Sequence, residues 1–189
     1  MAPRVIVLGR QGAGKGTQCA RLVDQYGIVH VSTGDMLRAA VAAGTELGKK
    51  AEAIMTAGGL VSDDIMNGIV AERLAEDDIM ENGVLLDGFP RTTDQAETLD
   101  AILADQGEEL TAVINIDVPL DEVTTRMMAR GREDDTEEGI AERLRLYEEQ
   151  TAPLLNFYGD CNKLVVVDGL GEPDEIYARV CGALNLEVA

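Results

Sequence analysis

The chain is short of the residues that most often anchor a protein core. Its 189 residues include two phenylalanines, four tyrosines and no tryptophan, so its interior must be built from aliphatic side chains and alanine. Histidine is nearly absent too. His30 stands alone, with no accompanying motif, and reads as a packed or surface residue at a strand end rather than a ligand or base. The three cysteines, Cys19, Cys161 and Cys181, are odd in number and lack metal-ligand spacing, which suits reduced thiols. No apolar run approaches the ~20 residues of a membrane span. Met1-Ala2-Pro3-Arg4 leads straight into an apolar stretch without the shape of a signal peptide, so a cytoplasmic protein is expected. Lysine is the scarcest charged residue: 16 basic residues face 35 acidic ones, for a net charge of −19. That balance disfavours nucleic-acid and anionic-membrane partners.

One segment stands out from this background. Residues 9–18, Gly-Arg-Gln-Gly-Ala-Gly-Lys-Gly-Thr-Gln, follow the apolar run Val5-Ile6-Val7-Leu8 and precede a helical pattern. Strand, glycine-rich loop and helix in that order form the context of a phosphate-binding loop. Glycines let backbone N–H groups turn toward an anion, and the helix start adds free donors. Lys15 supplies a compact cation. The pattern G-x-x-x-x-G-K-[ST] is not met in full, because Gly16 follows the lysine and Thr17 comes one place later.

Around this loop the chain alternates strand and helix. Apolar runs near 4–8, 28–31, 83–87, 112–118 and 164–168 read as strands. Helical patterns cover 15–26, 35–43, 46–57, 63–75, 93–104, 120–130, 137–157 and 172–184. Ser62 is placed to cap the fourth helix, and Gly58-Gly59 to stop the third. The rhythm predicts an α/β fold: one domain, with a parallel sheet of about five strands, helices on both faces and a ligand site beyond the carboxyl ends of the strands.

Other segments add chemistry. Ser32-Thr33-Gly34-Asp35 opens a helix bearing Arg38, which suggests a second phosphate site. Gly59-Leu60-Val61 is either an ordinary helix stop or a source of backbone groups and an apolar wall for a base. The strand Val84-Leu85-Leu86 ends in Asp87, a placement that suits a carboxylate acting on Mg²⁺ through water. Gln95, one turn past Arg91, offers an amide able to read a donor and an acceptor at once. Arginines outnumber lysines twelve to four, and residues 119–162 contain no lysine. Arg126 and Arg130 share a helix face, Arg132 follows Gly131, and Arg143 lies on the next helix. The planar guanidinium suits phosphate oxygens. Arg145 reads as an ordinary surface partner of nearby acids.

Taken in order, these motifs resemble a bacterial adenylate kinase with a trimmed lid. The resemblance runs from end to end through residues 12–18, 32–38, 59–61, 86–92 and 147–154. It implies reversible phosphoryl transfer from Mg-ATP to AMP, giving two ADP, by a monomeric enzyme. It implies that Gly12, Ala13, Gly14, Lys15, Gly16, Thr17, Arg126, Arg130 and Gly171 meet ATP. Thr33, Arg38, Gly59, Leu60, Val61, Gly88, Phe89, Pro90, Arg91, Gln95, Arg132 and Arg143 would meet AMP. Lys15, Arg91, Arg130, Arg132 and Arg143 would be catalytic, and Asp87 and Thr17 would serve Mg²⁺ through water or phosphate. Residues 32–61 would be the AMP-binding insert, and 131–136 the short lid. Longer relatives carry a small β domain at that lid, some with zinc; its cysteines are missing here, so no zinc is expected. Another nucleoside-monophosphate kinase, such as a UMP/CMP enzyme, is the nearest alternative. A GTPase fits poorly: Asp168-Gly169-Leu170-Gly171 follows Asn162-Lys163 rather than preceding it, and Val165 stands where N-K-x-D needs aspartate.

Two features depart from the family pattern. Arg10-Gln11 stands where a small residue and proline are usual, and the sequence leaves open whether Arg10 meets phosphate or solvent. The acidity itself also has two readings, solubility or adaptation to a salty cytoplasm in which ions screen self-repulsion.

Overall fold

Val5, Ile6 and the buried residues beside them are apolar on both sides of the strand, so the first strand can only sit inside a sheet covered on both faces. The computed structural model, which describes residues 2–57, 59–132 and 135–186, places it there. Strand β1 (Arg4–Leu8) is central in a five-stranded sheet. The others are β2 (Val29–Ser32), β3 (Val84–Asp87), β4 (Ala112–Asp117) and β5 (Leu164–Asp168), in the order β2-β3-β1-β4-β5. All pairings are parallel, which places every strand's carboxyl end on one edge.

The alternating side chains of the strands feed two separate cores. Ile6, Leu8, Val31, Val84, Leu86 and Val113 point to one face. There they meet α4 (Asp63–Leu74), α6 (Thr93–Asp105) and α9 (Pro153–Asp160). Val5, Val7, Leu85, Ile114 and Ile116 point to the other, against α1 (Lys15–Tyr26), α7 (Leu120–Arg130), α8 (Glu137–Leu146) and α10 (Pro173–Ala183). Helices α2 (Thr33–Ala42) and α3 (Glu46–Thr56) form the insert after β2, and their Leu37 and Ala51 join the first core.

The expected α/β architecture is present, with local differences. The second helix begins at Thr33 rather than Asp35, because Ser32 already accepts the Asp35 N–H at 3.3 Å. Ser62 sits at the start of α4 but makes no side-chain cap bond. A short helix, α5 (Asp77–Asn82), occupies an acidic stretch that carries no helical pattern. The long helix expected over 137–157 is three pieces: α8, a π turn at Tyr147–Thr151, and α9. Pro153 is the cause. It has no N–H and its ring crowds the carbonyl four residues back, so the chain widens before it and Ala152 N–H bonds Tyr147 O, five residues back, at 2.7 Å. Gly59 N–H closes the end of the third helix on Ile54 O at 2.8 Å. Gly58, and Glu133 and Asp134 of the expected lid, lie outside the described residues.

Several of the acidic residues are paired locally. Arg73 holds Glu76 at 3.0 Å and Asp78 at 2.7 Å, and Arg145 holds Glu142 and Glu149. Exposed pairs of this kind are worth little, so they do not offset a charge of −19. If the acidity is salt adaptation, the melting temperature should rise as KCl goes from about 0.05 to about 2 M, while KM for the anionic substrates rises as well. A flat or falling melting temperature would leave solubility as the only role for the surplus charge.

Candidate active site

A cleft of about 700 Å³ opens along the carboxyl edge of the sheet. One end is the loop between β1 and α1. Gly12 has φ +86°, and a Cβ there would stand 2.7 Å from Val123 O of α7. A side chain is therefore excluded twice over, by backbone conformation and by space. Lys15 opens α1, with Nζ 2.8 Å from Gly9 O and 3.1 Å from Arg10 O, so the ammonium is folded onto its own loop. Burial lowers its pKa, and Asp87 opposes that shift. Gly12, Ala13, Gly14, Gly16 and Thr17 line the same end, with Arg126 and Gly171 beyond them. Arg126 is braced by Glu122 at 2.7 Å, and both of its terminal nitrogens lie 3.4 Å from Gly169 O.

The cleft floor is the end of β3. Burial works against the Asp87 carboxylate, but His30, Lys15 and Arg91 outweigh it and hold its pKa below the ordinary value. His30 is thus more than a packed strand residue: its Nε2 lies 3.6 Å from Asp87 Oδ2. Gly88 follows with φ +84°, and a Cβ there would meet Thr33 Oγ1 at 2.8 Å. Without that Cβ, Thr33 Oγ1 and Arg91 Nε both donate to Gly88 O, at 2.9 and 2.8 Å. The Phe89–Pro90 peptide is cis. Pro90 lines the cleft, whereas Phe89, expected beside AMP, buries its ring in the first core cluster.

Gln95 is 2% exposed and already engaged at both ends of its amide. Oε1 accepts from Arg91 N at 2.7 Å, and Nε2 donates to Asp63 Oδ1 at 2.6 Å. Thr92 Oγ1 holds the other Asp63 oxygen at 3.0 Å. One N–H and one lone pair of Gln95 remain for a ligand. Asp63 escaped the sequence reading because it resembles an ordinary acidic residue in a first helical turn. Gly59, Leu60, Val61 and Arg38 form the opposing wall. Arg38 Nη2 is held by Asp35.

Arg130, Arg132 and Arg143 come from α7, the following loop and α8, and all three reach the cleft. Asp135 gathers them. Its carboxylate accepts from Arg130 at 2.8 and 2.9 Å, from Arg143 at 2.8 Å and from the Arg132 N–H at 3.1 Å. Burial opposes ionisation here too, but these donors hold the pKa at about 2. The sequence contained a signal for this, an acidic run set between arginines, but charge alternation alone does not say which acid turns inward.

Arg10 points away from the phosphate loop's interior. It bonds Glu148 at 2.6 and 2.8 Å and Val118 O at 3.2 Å, and packs over the Tyr147 ring. The π turn also holds Arg91, through Thr151 Oγ1 on Arg91 O at 2.9 Å.

Comparison with known proteins agrees with this geometry. The family model described as "Adenylate kinase" matches residues 7–163. An adenylate kinase of Stenotrophomonas maltophilia is 48% identical over 186 residues, covering 96% of this chain and 99% of that protein. One from Nocardia farcinica is 49% identical over 182 residues, with the same coverage. One from Xanthomonas campestris is 46% identical over 186 residues, again covering 96% and 99%. With a phosphate loop at one end of the cleft and arginines from five segments lining it, the chain belongs to the adenylate kinase family, enzymes that transfer a phosphoryl group between ATP and AMP.

Proposed function

We propose that the phosphate-loop end of the cleft, with Arg126, Arg130 and Gly171, takes ATP. The end formed by Thr33, Arg38, residues 59–61, Gly88 to Arg91 and Gln95 takes AMP, with Arg132 and Arg143 between the two. The observation that carries this reading is one cleft lined by Lys15, Asp87 and arginines from separate elements.

The chemistry follows from charge. The acceptor phosphate has a second pKa of about 6 and is mostly dianionic at neutral pH. It is already a nucleophile and requires no base, unlike a hydroxyl acceptor. The obstacle is bringing two anions into line. Lys15, Arg91, Arg130, Arg132 and Arg143 oppose that repulsion and stabilise charge on the transferring group. To reach phosphate, Lys15 exchanges the carbonyls of Gly9 and Arg10 for phosphate oxygens, and Arg130 and Arg143 share their donors between Asp135 and the nucleotide. Mg²⁺ fits the site. Asp87 is held ionised at the cleft floor and the Thr17 hydroxyl lies at the exposed start of α1; these two would hold the ion through water or phosphate. When bound, it supplies charge neutralisation between the phosphates. The insert at 32–61 and the lid at 131–136 would close over the substrates and exclude water.

We read the enzyme as a cytoplasmic monomer. Among the described residues no helix is long and apolar enough to cross a membrane, and the charge repels anionic surfaces.

A coupled ADP assay with AMP, CMP, UMP and GMP separates adenylate kinase from its pyrimidine-specific relatives: AMP should be the preferred acceptor. Gln95→Leu should weaken AMP binding by about 10-fold or more while leaving ATP binding nearly unchanged, because it removes the amide that pairs the base and leaves polar groups unpaired. Equal losses for both nucleotides in titration calorimetry would place Gln95 outside the acceptor site.

A further inference from the structure

Behind the phosphate loop lies a group that phosphoryl transfer does not use. Cys19 sits one turn past Lys15 on α1 and is fully buried. His30 on β2 and Asp87 at the end of β3 lie on neighbouring strands of the sheet face that α1 covers. Cys19 Sγ, an imidazole nitrogen of His30 and a carboxylate oxygen of Asp87 all lie within 4.8 Å of one another. Nε2 of His30 is buried and, at 3.6 Å from Asp87 Oδ2, stands beyond hydrogen-bond distance of any partner. A buried ring nitrogen left this far from the nearest carboxylate and beside a thiol is costly unless something joins them.

We propose that Cys19, His30 and Asp87 form a binding site for a thiophilic divalent cation of the zinc and cadmium class, and that its occupation shuts the enzyme down. Zinc takes sulfur at about 2.3 Å and nitrogen or oxygen at about 2.0–2.2 Å, so donors on its tetrahedral corners stand roughly 3.3–3.6 Å apart. The observed spacing needs about an ångström of side-chain adjustment to meet that. Asp87 lines the cleft, which gives the ion a route in and leaves its fourth position to water. On binding, the Cys19 sulfur lone pair goes to the metal and the thiol proton leaves to solvent. Mg²⁺ prefers an all-oxygen shell and is a poor competitor for this donor set.

Occupation would tie up the carboxylate that faces Lys15 and, on the proposed assignment, serves Mg²⁺. The expected effect is a loss of kcat that excess Mg-ATP does not reverse. Only this inhibition rests on the role assigned to Asp87; binding does not.

Cadmium titrated into the full chain under reducing conditions, followed by calorimetry and by thiolate-to-metal charge-transfer absorption, tests the site. One ion per chain should bind with a thiolate signal. Cys19→Ala should abolish the signal. His30→Gln should weaken binding by more than the roughly 10-fold that loss of a supporting contact costs. Cys161→Ala, which removes an exposed thiol, should leave both unchanged. Undiminished binding in Cys19→Ala, or loss of binding in Cys161→Ala alone, would overturn the proposal. Full binding with unchanged turnover would overturn the inhibition, and with it the assignment of Asp87 to magnesium, and leave the metal site alone standing.

Discussion

Lys15→Ala should lower kcat by about 10²- to 10³-fold, the scale seen when a preorganised charge stabiliser is removed, with no loss of fold. The two halves of this expectation have different origins. In the free enzyme, among the described residues, Nζ bonds only the carbonyls of Gly9 and Arg10 on its own loop, and water can replace it there. Burial lowers its pKa below 10.5, while its charge helps hold the buried Asp87 ionised, so the effects of its removal on stability oppose one another. The melting temperature should change little. In the wild type, the alkaline limb of kcat/KM for ATP, which reports the free enzyme, should fall below pH 10.5. Near-normal turnover in a folded Lys15→Ala variant would remove this lysine from the mechanism.

Asp135→Asn should cost about 10²-fold in kcat through misplacement of Arg130 and Arg143, with smaller changes in KM. A shift of an ångström in reacting groups has that effect. The amide turns an N–H₂ toward guanidinium donors, so the arginines lose their common acceptor. The substitution also has a signature in stability. The native pKa of Asp135 is about 2 against an ordinary 3.8. A depressed carboxylate stabilises the fold fully above the unfolded value and loses that contribution as pH falls through the native one. Wild type should therefore exceed Asp135→Asn by roughly 1–2 kcal/mol above pH 4, after discounting for solvent at the arginines. The two should converge toward pH 2. Paired denaturation series at several pH values check this. Unchanged kcat would mean that the carboxylate only holds a place for phosphate in the resting enzyme.

The parts of this molecule legible in the sequence are those set by local period. Val5 to Leu8, the glycine loop and α1 follow one another within a few residues, and each strand is a short apolar run. Helix α5 was not legible, because within six residues it buries only Ile79 and its acidic start has no apolar stripe. The break at the π turn was foreshadowed by Pro153, but a long amphipathic pattern ran through it. At the site, the residues named for phosphate were legible because arginine and lysine carry their chemistry with them. Asp63, Thr92, Thr151 and Asp135 were not. Each acts by holding another side chain or backbone group, and those partners are chosen by packing rather than by type.

The π turn at Tyr147–Thr151 also sets an angle. An α-helix advances about 100° per residue, so one extra residue in a turn rephases everything beyond it. Before the turn, Ile140 and Leu144 face the core on the phosphate-loop side of the sheet. After it, Leu154 and Tyr158 face the core on the opposite side. A single run of helix thereby crosses from one layer to the other, with Glu148 on Arg10 and Thr151 on Arg91 at the crossing. The segment works as a spacer whose length matters more than its composition. Deleting one residue would swing α9 by a quarter-turn or more, turning Leu154 out of its core and drawing Arg91 off its seat, whereas exchanging Gln150 would leave both in register.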